Sequence, residues 1–317
     1  MLTFDKIKIV TNLKYIEIID EDAFEKKEQC GELLSLHYKK TVPFQLYIKV
    51  NYEDDELVIE FTGKLVGKHY QKLISLETIS EYFEAINKIG ICTLDIDEIV
   101  HNAEVVSCDV TRDVDCENIP RMTKFINGNV KNRNRYVCRA KVNGNFIIEK
   151  NVDSPAYKRR LTIYDKYREM NLTKNRQFRK MFEIPDDEFK DKCRLEMNLT
   201  SKEQIRAALR IEDTDLMTVL SASADPITEF LDEVLADTPE SSVKLTNRKE
   251  YYASLVLRDC NYNLEAVEAK LRYYAGDKRG YHPQRDMAIF RELMNRGISD
   301  DCYNKEKILD IARGVSD

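Results

Sequence analysis

VVSCDVTRDV (105–114) is the stretch whose reading decides the fold. Its residue types alternate along the chain, so in an extended conformation Asp109, Thr111 and Asp113 point one way while Cys108, Val110, Arg112 and Val114 point the other. Four further segments downstream read as strands: YVCRAKV (136–142), FIIEK (146–150, after the turn Asn143-Gly144), RRLTIYDK (159–166) and CRLEMNL (193–199). Upstream, TFDKIKIVT (3–11), QLYIKVNY (45–52) and ELVIEFTG (56–63) alternate in the same way. Helical spacing occurs in SLETISEYFEAINKIG (75–90), with Ser75 as cap and Gly90 as stop, in a short turn at 95–102, and in the charged stretch KYREMNLTKNRQFRKMF. Short alternating strands with few βαβ patterns predict an α+β fold: a largely antiparallel sheet with helices on one face.

From residue 201 the pattern becomes helical, and ADPITEFLDEVLADTPESSV (224–243), with Pro226 and Pro239, reads as an acidic junction. The expected organisation is a core over 1–210, divided into a β-rich half (1–100) and a second half (101–210), then a junction over 211–245 and a small all-helical C-terminal module over 246–317. Asn263 and Gly276 or Gly280 are its expected helix caps. No internal repeat of short period is evident.

The 317 residues, 43% hydrophobic and 33% charged with 10 Gly and 7 Pro, exclude collagen-like and low-complexity chains. No run approaches the roughly 20 apolar residues of a membrane helix, and the N-terminus lacks the apolar core of a signal peptide, so a cytoplasmic protein without membrane contact is expected. The 8 cysteines show no CxxC spacing, which gives neither a zinc ribbon nor a disulfide framework. The net charge of −6 conceals an asymmetry. Residues 1–100 carry 12 Lys+Arg against 19 Asp+Glu, residues 121–210 carry 23 against 11, and residues 211–245 carry 1 against 9. A basic block between acidic ones suits a protein that meets a polyanion with one face. Arg133, Arg135, Arg139, Lys158, Arg159, Arg160, Arg176, Arg179 and Lys180 are the prominent phosphate-contact candidates, and the plainer reading is a solvated Lys/Arg-rich surface.

If RRLTIYDK, CRLEMNL and CDVTRDV neighbour one another, one polar face collects Asp109, Asp113, Glu196, Tyr164, Lys166 and Arg194. Hard oxygen ligands suit Mg²⁺ or Mn²⁺, and a tyrosine near a cation or base becomes a nucleophile. Each residue alone has a plainer reading: Asp109 and Asp113 as exposed strand positions, Glu196 paired with Arg194 or Lys192, Tyr164 as a half-buried sheet aromatic. Only the combination shifts the balance toward phosphate chemistry, and periodicity alone does not carry it past the plainer readings.

DVTRDV (109–114), RLTIYDKYREM (160–170) and RLEMNL (194–199), behind a β-rich half containing ELVIEFTGKL (56–65), resemble rolling-circle replication initiators of the plasmid Rep_trans and filamentous-phage types, relatives of the HUH nickases. The likeness spans roughly residues 1–200. It implies a metal-dependent nicking-closing endonuclease whose tyrosine attacks an origin phosphate, stays joined to the 5′ end and leaves a 3′-hydroxyl primer. By motif, Tyr164 is the nucleophile, Lys166 a phosphate or transition-state contact, and Asp109, Asp113 and Glu196 the ligands of Mg²⁺ or Mn²⁺, with Arg194 added to the DNA contacts. Origin DNA, single-stranded or as an extruded hairpin, is the implied partner, and a host helicase and a homodimer are compatible with that reading. The chain departs from the HUH pattern: His37, His69, His101 and His282 form no His-x-His pair. Tyr167 is a candidate second nucleophile, with a structural role as the plainer reading, and the tyrosine pairs 251–252 and 273–274 read as packing residues. Two other classes stay open: an origin-binding initiator or repressor without cleavage activity, and a hydrolytic nuclease with metal-activated water.

Overall fold

The computed structural model describes residues 2–142, 144–154, 158–236, 245–260, 262–275, 283–296 and 305–315. Asn143, Pro239, Gly276, Gly280 and His282 lie outside them. Twelve strands occur among the described residues: β1 (Phe4–Asn12), β2 (Ile16–Ile18), β3 (Glu25–Gln29), β4 (Glu32–Lys40), β5 (Leu46–Asn51), β6 (Glu56–Thr62), β7 (Cys92–Leu94), β8 (Glu104–Asp115), β9 (Tyr136–Ala140), β10 (Phe146–Lys150), β11 (Arg160–Asp165) and β12 (Lys192–Leu199). Ten of them form one antiparallel sheet in the order β3-β4-β5-β6-β1-β8-β12-β11-β10-β9, and β2 pairs with β7. The expected α+β architecture is the one observed.

The helices are α1 (Ile79–Asn87), α2 (Ile96–Asn102), α3 (Ile119–Gly128), α4 (Lys166–Met170), α5 (Thr173–Met181), α6 (Lys202–Leu209), α7 (Leu216–Ser221), α8 (Pro226–Val234), α9 (Arg248–Asp259), α10 (Leu264–Ala275), α11 (Pro283–Asn295) and α12 (Lys305–Arg313). Ile7, Ile9, Ile48, Leu57, Ile59, Phe61, Leu195 and Met197 share the covered sheet face and are at most 2% exposed. Burying each such side chain contributes about 1.5–3 kcal/mol. Phe61 stacks on Tyr82 of α1 with centroids 5.5 Å apart, and Arg112, which also points to this face, pairs with Asp225 just before α8 at 3.0 Å.

The opposite face is polar but not bare. A 3-10 segment, Gly63–Lys72, and the pair α4–α5 bring Tyr70, Leu73, Met170, Phe178 and Phe189 into a satellite cluster at the end of β8, β12 and β11. Gly63 makes room for this, since a Cβ there would stand 3.1 Å from the Tyr70 ring.

The strand order reveals a duplication that no sequence period announces, since β3-β4-β5-β6-β1 and β9-β10-β11-β12-β8 run from the two edges to the centre in the same arrangement. Lys6 faces Asp109 across the central β1–β8 pair; Lys6 also faces Thr62 on β6, as Asp109 faces Asn198 on β12. A twofold through the Lys6–Asp109 pair therefore relates β6 to β12 and β5 to β11. It places Glu60 at the position of Glu196, and Lys49 at that of Tyr164.

The chain divides into two compact units, Met1–Val234 with Asp310–Asp317, and Leu235–Leu309. Residues 211–234 and 310–317 thus belong with the sheet unit, whereas the expected junction and module separated them from it. The second unit is helical, with a core of Ala253, Leu257, Val267, Met287, Phe290 and Leu293. Asn263 caps α10, accepting from the Glu265 and Ala266 amides. Tyr251, Tyr252, Tyr273 and Tyr274 are 52–80% exposed, so they are surface residues and not packing ones.

Candidate active site

Three adjacent strands build the site. In register, Tyr164 of β11 faces Arg194 of β12, which faces Asp113 of β8; one pleat further, Thr162, Glu196 and Thr111 are aligned, and beyond them Arg160, Asn198 and Asp109. The alternation that puts Asp109, Asp113, Glu196, Arg194 and Tyr164 on one face is therefore real. Lys166 lies just past the strand as the first residue of α4, which Asp165 caps by accepting from the Arg168 amide.

The Tyr164 hydroxyl donates to Glu196 Oε1. Burial, strengthened by Asp5, pushes the Glu196 carboxyl up to about 7. Burial and the Glu196 carboxylate together push the Tyr164 phenol well above its usual range. A free ammonium beside Tyr164 would help to ionise it. Instead the Lys166 ammonium, 1% exposed, donates to Tyr70 Oη at 2.5 Å and to Glu169 at 3.0 Å, so it is not free to clasp a phosphate.

Arg194 is fully buried and makes a two-pronged pair with Asp113 at 2.5 and 2.6 Å. It also donates to Asp5 at 2.7 Å and to Tyr70 Oη at 2.6 Å. Arg194 is therefore a framework residue, a correction to its reading as a DNA contact, because it presents no surface to a phosphate. Burial pushes the Asp5 carboxyl up, but Arg194, Lys166 and Lys64 outweigh it and hold that carboxyl below its usual value. Glu169, held down to about 2 by Lys166 and Lys64 against its burial, completes the shell and accepts from Asn175.

The resemblance implies a divalent ion. Among the described residues no three His, Cys, Asp or Glu side chains converge closely enough to hold one, and Asp113 is engaged by Arg194. Asp109 differs: burial raises its carboxyl, Asn198 donates to it at 2.7 Å, and the buried Asn198 Oδ1 has no partner among the described residues. Those oxygens suit a hard cation, but the expected trio of Asp109, Asp113 and Glu196 is not one ligand cluster.

Of the basic candidates, Arg139 and Arg160 lie on the Tyr164 face and are exposed. Arg135 and Arg159 pair with Glu233, and Arg139 and Lys158 with Glu149, all at a partly exposed surface where such pairs contribute little. Arg133 donates to the Asn127 carbonyl, Arg176 and Lys180 are exposed on α5, and Arg179, 11% exposed, pairs with Asp186. Tyr167 is 40% exposed in α4, outside the strand, and His101 is exposed on α2.

Tyr70, Asp5, Lys64 and Glu169 are site residues that strand alternation misses. Asp5 sits at a register shift between Phe4 and Lys6, and Tyr70 in an irregular 3-10 segment, so neither obeys a simple period. Glu169, three residues after Lys166 on α4, was legible as a helical pair.

Compared with known proteins, the chain matches no family model, no curated protein and no solved structure.

Proposed function

We propose that the protein nicks one DNA strand by transesterification, as a rolling-circle initiator does, with Tyr164 as nucleophile and Glu196 as its base. The observation that carries the proposal is the hydrogen bond from the Tyr164 hydroxyl to a carboxyl poised near pH 7. In the proposed step the Tyr164 Oη–phosphorus bond forms and the phosphorus–O3′ bond breaks. The phenolic proton passes to Glu196, and the departing oxygen takes a proton from water to become a 3′-hydroxyl. The 5′ phosphate remains on the tyrosine. Mg²⁺ or Mn²⁺, with Asp109 as its carboxylate ligand, would polarise the phosphate. Asp109→Asn is then expected to raise the Mn²⁺ concentration for half-maximal nicking by about 10-fold or more, read in a metal titration.

The base must be ionised to accept the proton, so nicking should rise about tenfold per pH unit below 7 and level off above it. Glu196→Gln should flatten that profile and lower the single-turnover rate by about 10²–10⁴-fold. The stability effect has the opposite sign. A carboxyl raised in the folded state stabilises the fold only at low pH, and this contribution is lost as pH rises through about 7. Denaturant titrations at pH 8–9 should find Glu196→Gln more stable than the wild type by about 3 kcal/mol.

A second reading, origin binding without cleavage, draws on one observation: Tyr164 is only 7% exposed. Incubation with labelled single-stranded DNA and Mn²⁺, followed by denaturing electrophoresis, separates the two, since only the nickase leaves DNA joined to protein.

A further inference from the structure

The twofold that relates the halves of the sheet maps the reactive positions onto lysines. Asp109 corresponds to Lys6, Thr111 to Lys8 and Tyr164 to Lys49, while Glu196 keeps a carboxylate counterpart in Glu60. Lys39 joins them, facing Tyr47 across the β4–β5 pair. Glu60 is bound to Lys6 at 2.5 Å, and Glu25 sits opposite His37 on the exposed edge strand β3. Among the described residues Lys8, Lys39 and Lys49 have no ion-pair partner. Glu56 of β6 shares this face, yet although residues 1–100 are acidic as a whole, the polar face of β1, β4 and β5 is basic.

That face also carries rings. Tyr47 and His37 are partly exposed, with centroids 6.1 Å apart, and Tyr47 Oη lies 3.0 Å from His37 Nδ1. A sheet face that combines lysines with aromatic rings suits single-stranded nucleic acid, whose phosphates meet the cations and whose unpaired bases stack. Neighbouring strands are about 4.8 Å apart and residues rise about 3.3 Å along them, so from Tyr164 on β11 the register puts Lys6 roughly 20 Å, Lys8 roughly 25 Å and Lys49 roughly 35 Å away.

We propose that the polar face of β1, β4 and β5 is a binding track for single-stranded DNA leading away from Tyr164. The duplication thus yields one half that reacts and one that holds. This inference rests on the nickase reading for its direction, but its test does not depend on cleavage.

The test uses the full-length chain and fluorescence anisotropy with two labelled single strands. One is an oligothymidylate of about 10 nucleotides, and the other is the same strand extended by about 10 nucleotides on either side. The extension should tighten wild-type binding about tenfold or more. Lys8→Gln/Lys49→Gln should lose that gain, keep short-strand affinity and the wild-type unfolding midpoint, and reduce the slope of log affinity against log salt by about 1.4. An undiminished gain in the double variant would overturn the proposal, and so would equal lysine dependence for a duplex of the same sequence. Absence of any covalent adduct with the wild type would defeat the nickase reading alone, because the binding measurement needs no cut.

Discussion

Tyr164→Phe is expected to bind single-stranded DNA within roughly twofold of the wild type and to form no covalent adduct, with cleavage at background. The substitution removes one oxygen and keeps the ring, which is 7% exposed on the sheet face beside Arg194 of β12. What it removes is the donor to Glu196. Without that donor the Glu196 carboxyl stays buried and takes a proton more readily, so the fold loses little. Tyr167→Phe serves as the control. Tyr167 is exposed on α4 and its change should leave the first nick intact.

Arg194→Met is expected to destabilise the sheet unit by about 3–5 kcal/mol, a large share of the roughly 5–15 kcal/mol that holds a typical domain folded. The side chain has 0% exposure and satisfies Asp113, Asp5 and Tyr70 together. Its removal leaves two carboxylates, each 20% exposed, without the guanidinium they share. Arg194→Lys should recover only part of the loss, because an ammonium cannot reproduce the two-pronged contact with Asp113. Adding Asp113→Asn to Arg194→Met should restore about 1 kcal/mol or more by removing one stranded charge. Denaturant unfolding of the three variants checks the series. Equal stability of Arg194→Met and wild type would show that the network does not brace the sheet.

The strands that build the site were legible because their faces differ in polarity. CDVTRDV, RRLTIYDK and CRLEMNL alternate, and the sheet uses that alternation to gather Asp109, Glu196 and Tyr164 on one side. β4 was harder to read, since ELLSLHYKK places three leucines and a serine in a run without alternation, and its turn is set by the positive φ of Cys30 and Gly31. α3 was missed because IPRMTKFING follows a strand without an apolar run to mark it; its signal is the Asn118 cap with Pro120 in the first turn.

The division of labour among the charges was not legible either. Strand periodicity says which side chains share a face and is silent on which of them neutralise one another. Asp113 and Arg194 share the face of Tyr164 as expected, but they bind each other, which converts a metal ligand and a DNA contact into framework. The duplication was hidden for a related reason. Lys6, Lys49 and Glu60 correspond to Asp109, Tyr164 and Glu196 only through strand register, and two of the three have changed chemical type.

The most direct test of the account is to map the adducted residue. The full-length protein is incubated with single-stranded DNA and Mn²⁺, the DNA is trimmed by nuclease, and the tryptic peptides are sequenced by mass spectrometry. The account predicts a nucleotide-bearing tyrosine at position 164 and nowhere else. DNA cut without any modified tyrosine, or modification at Tyr167 or in the pairs 251–252 and 273–274, would contradict it.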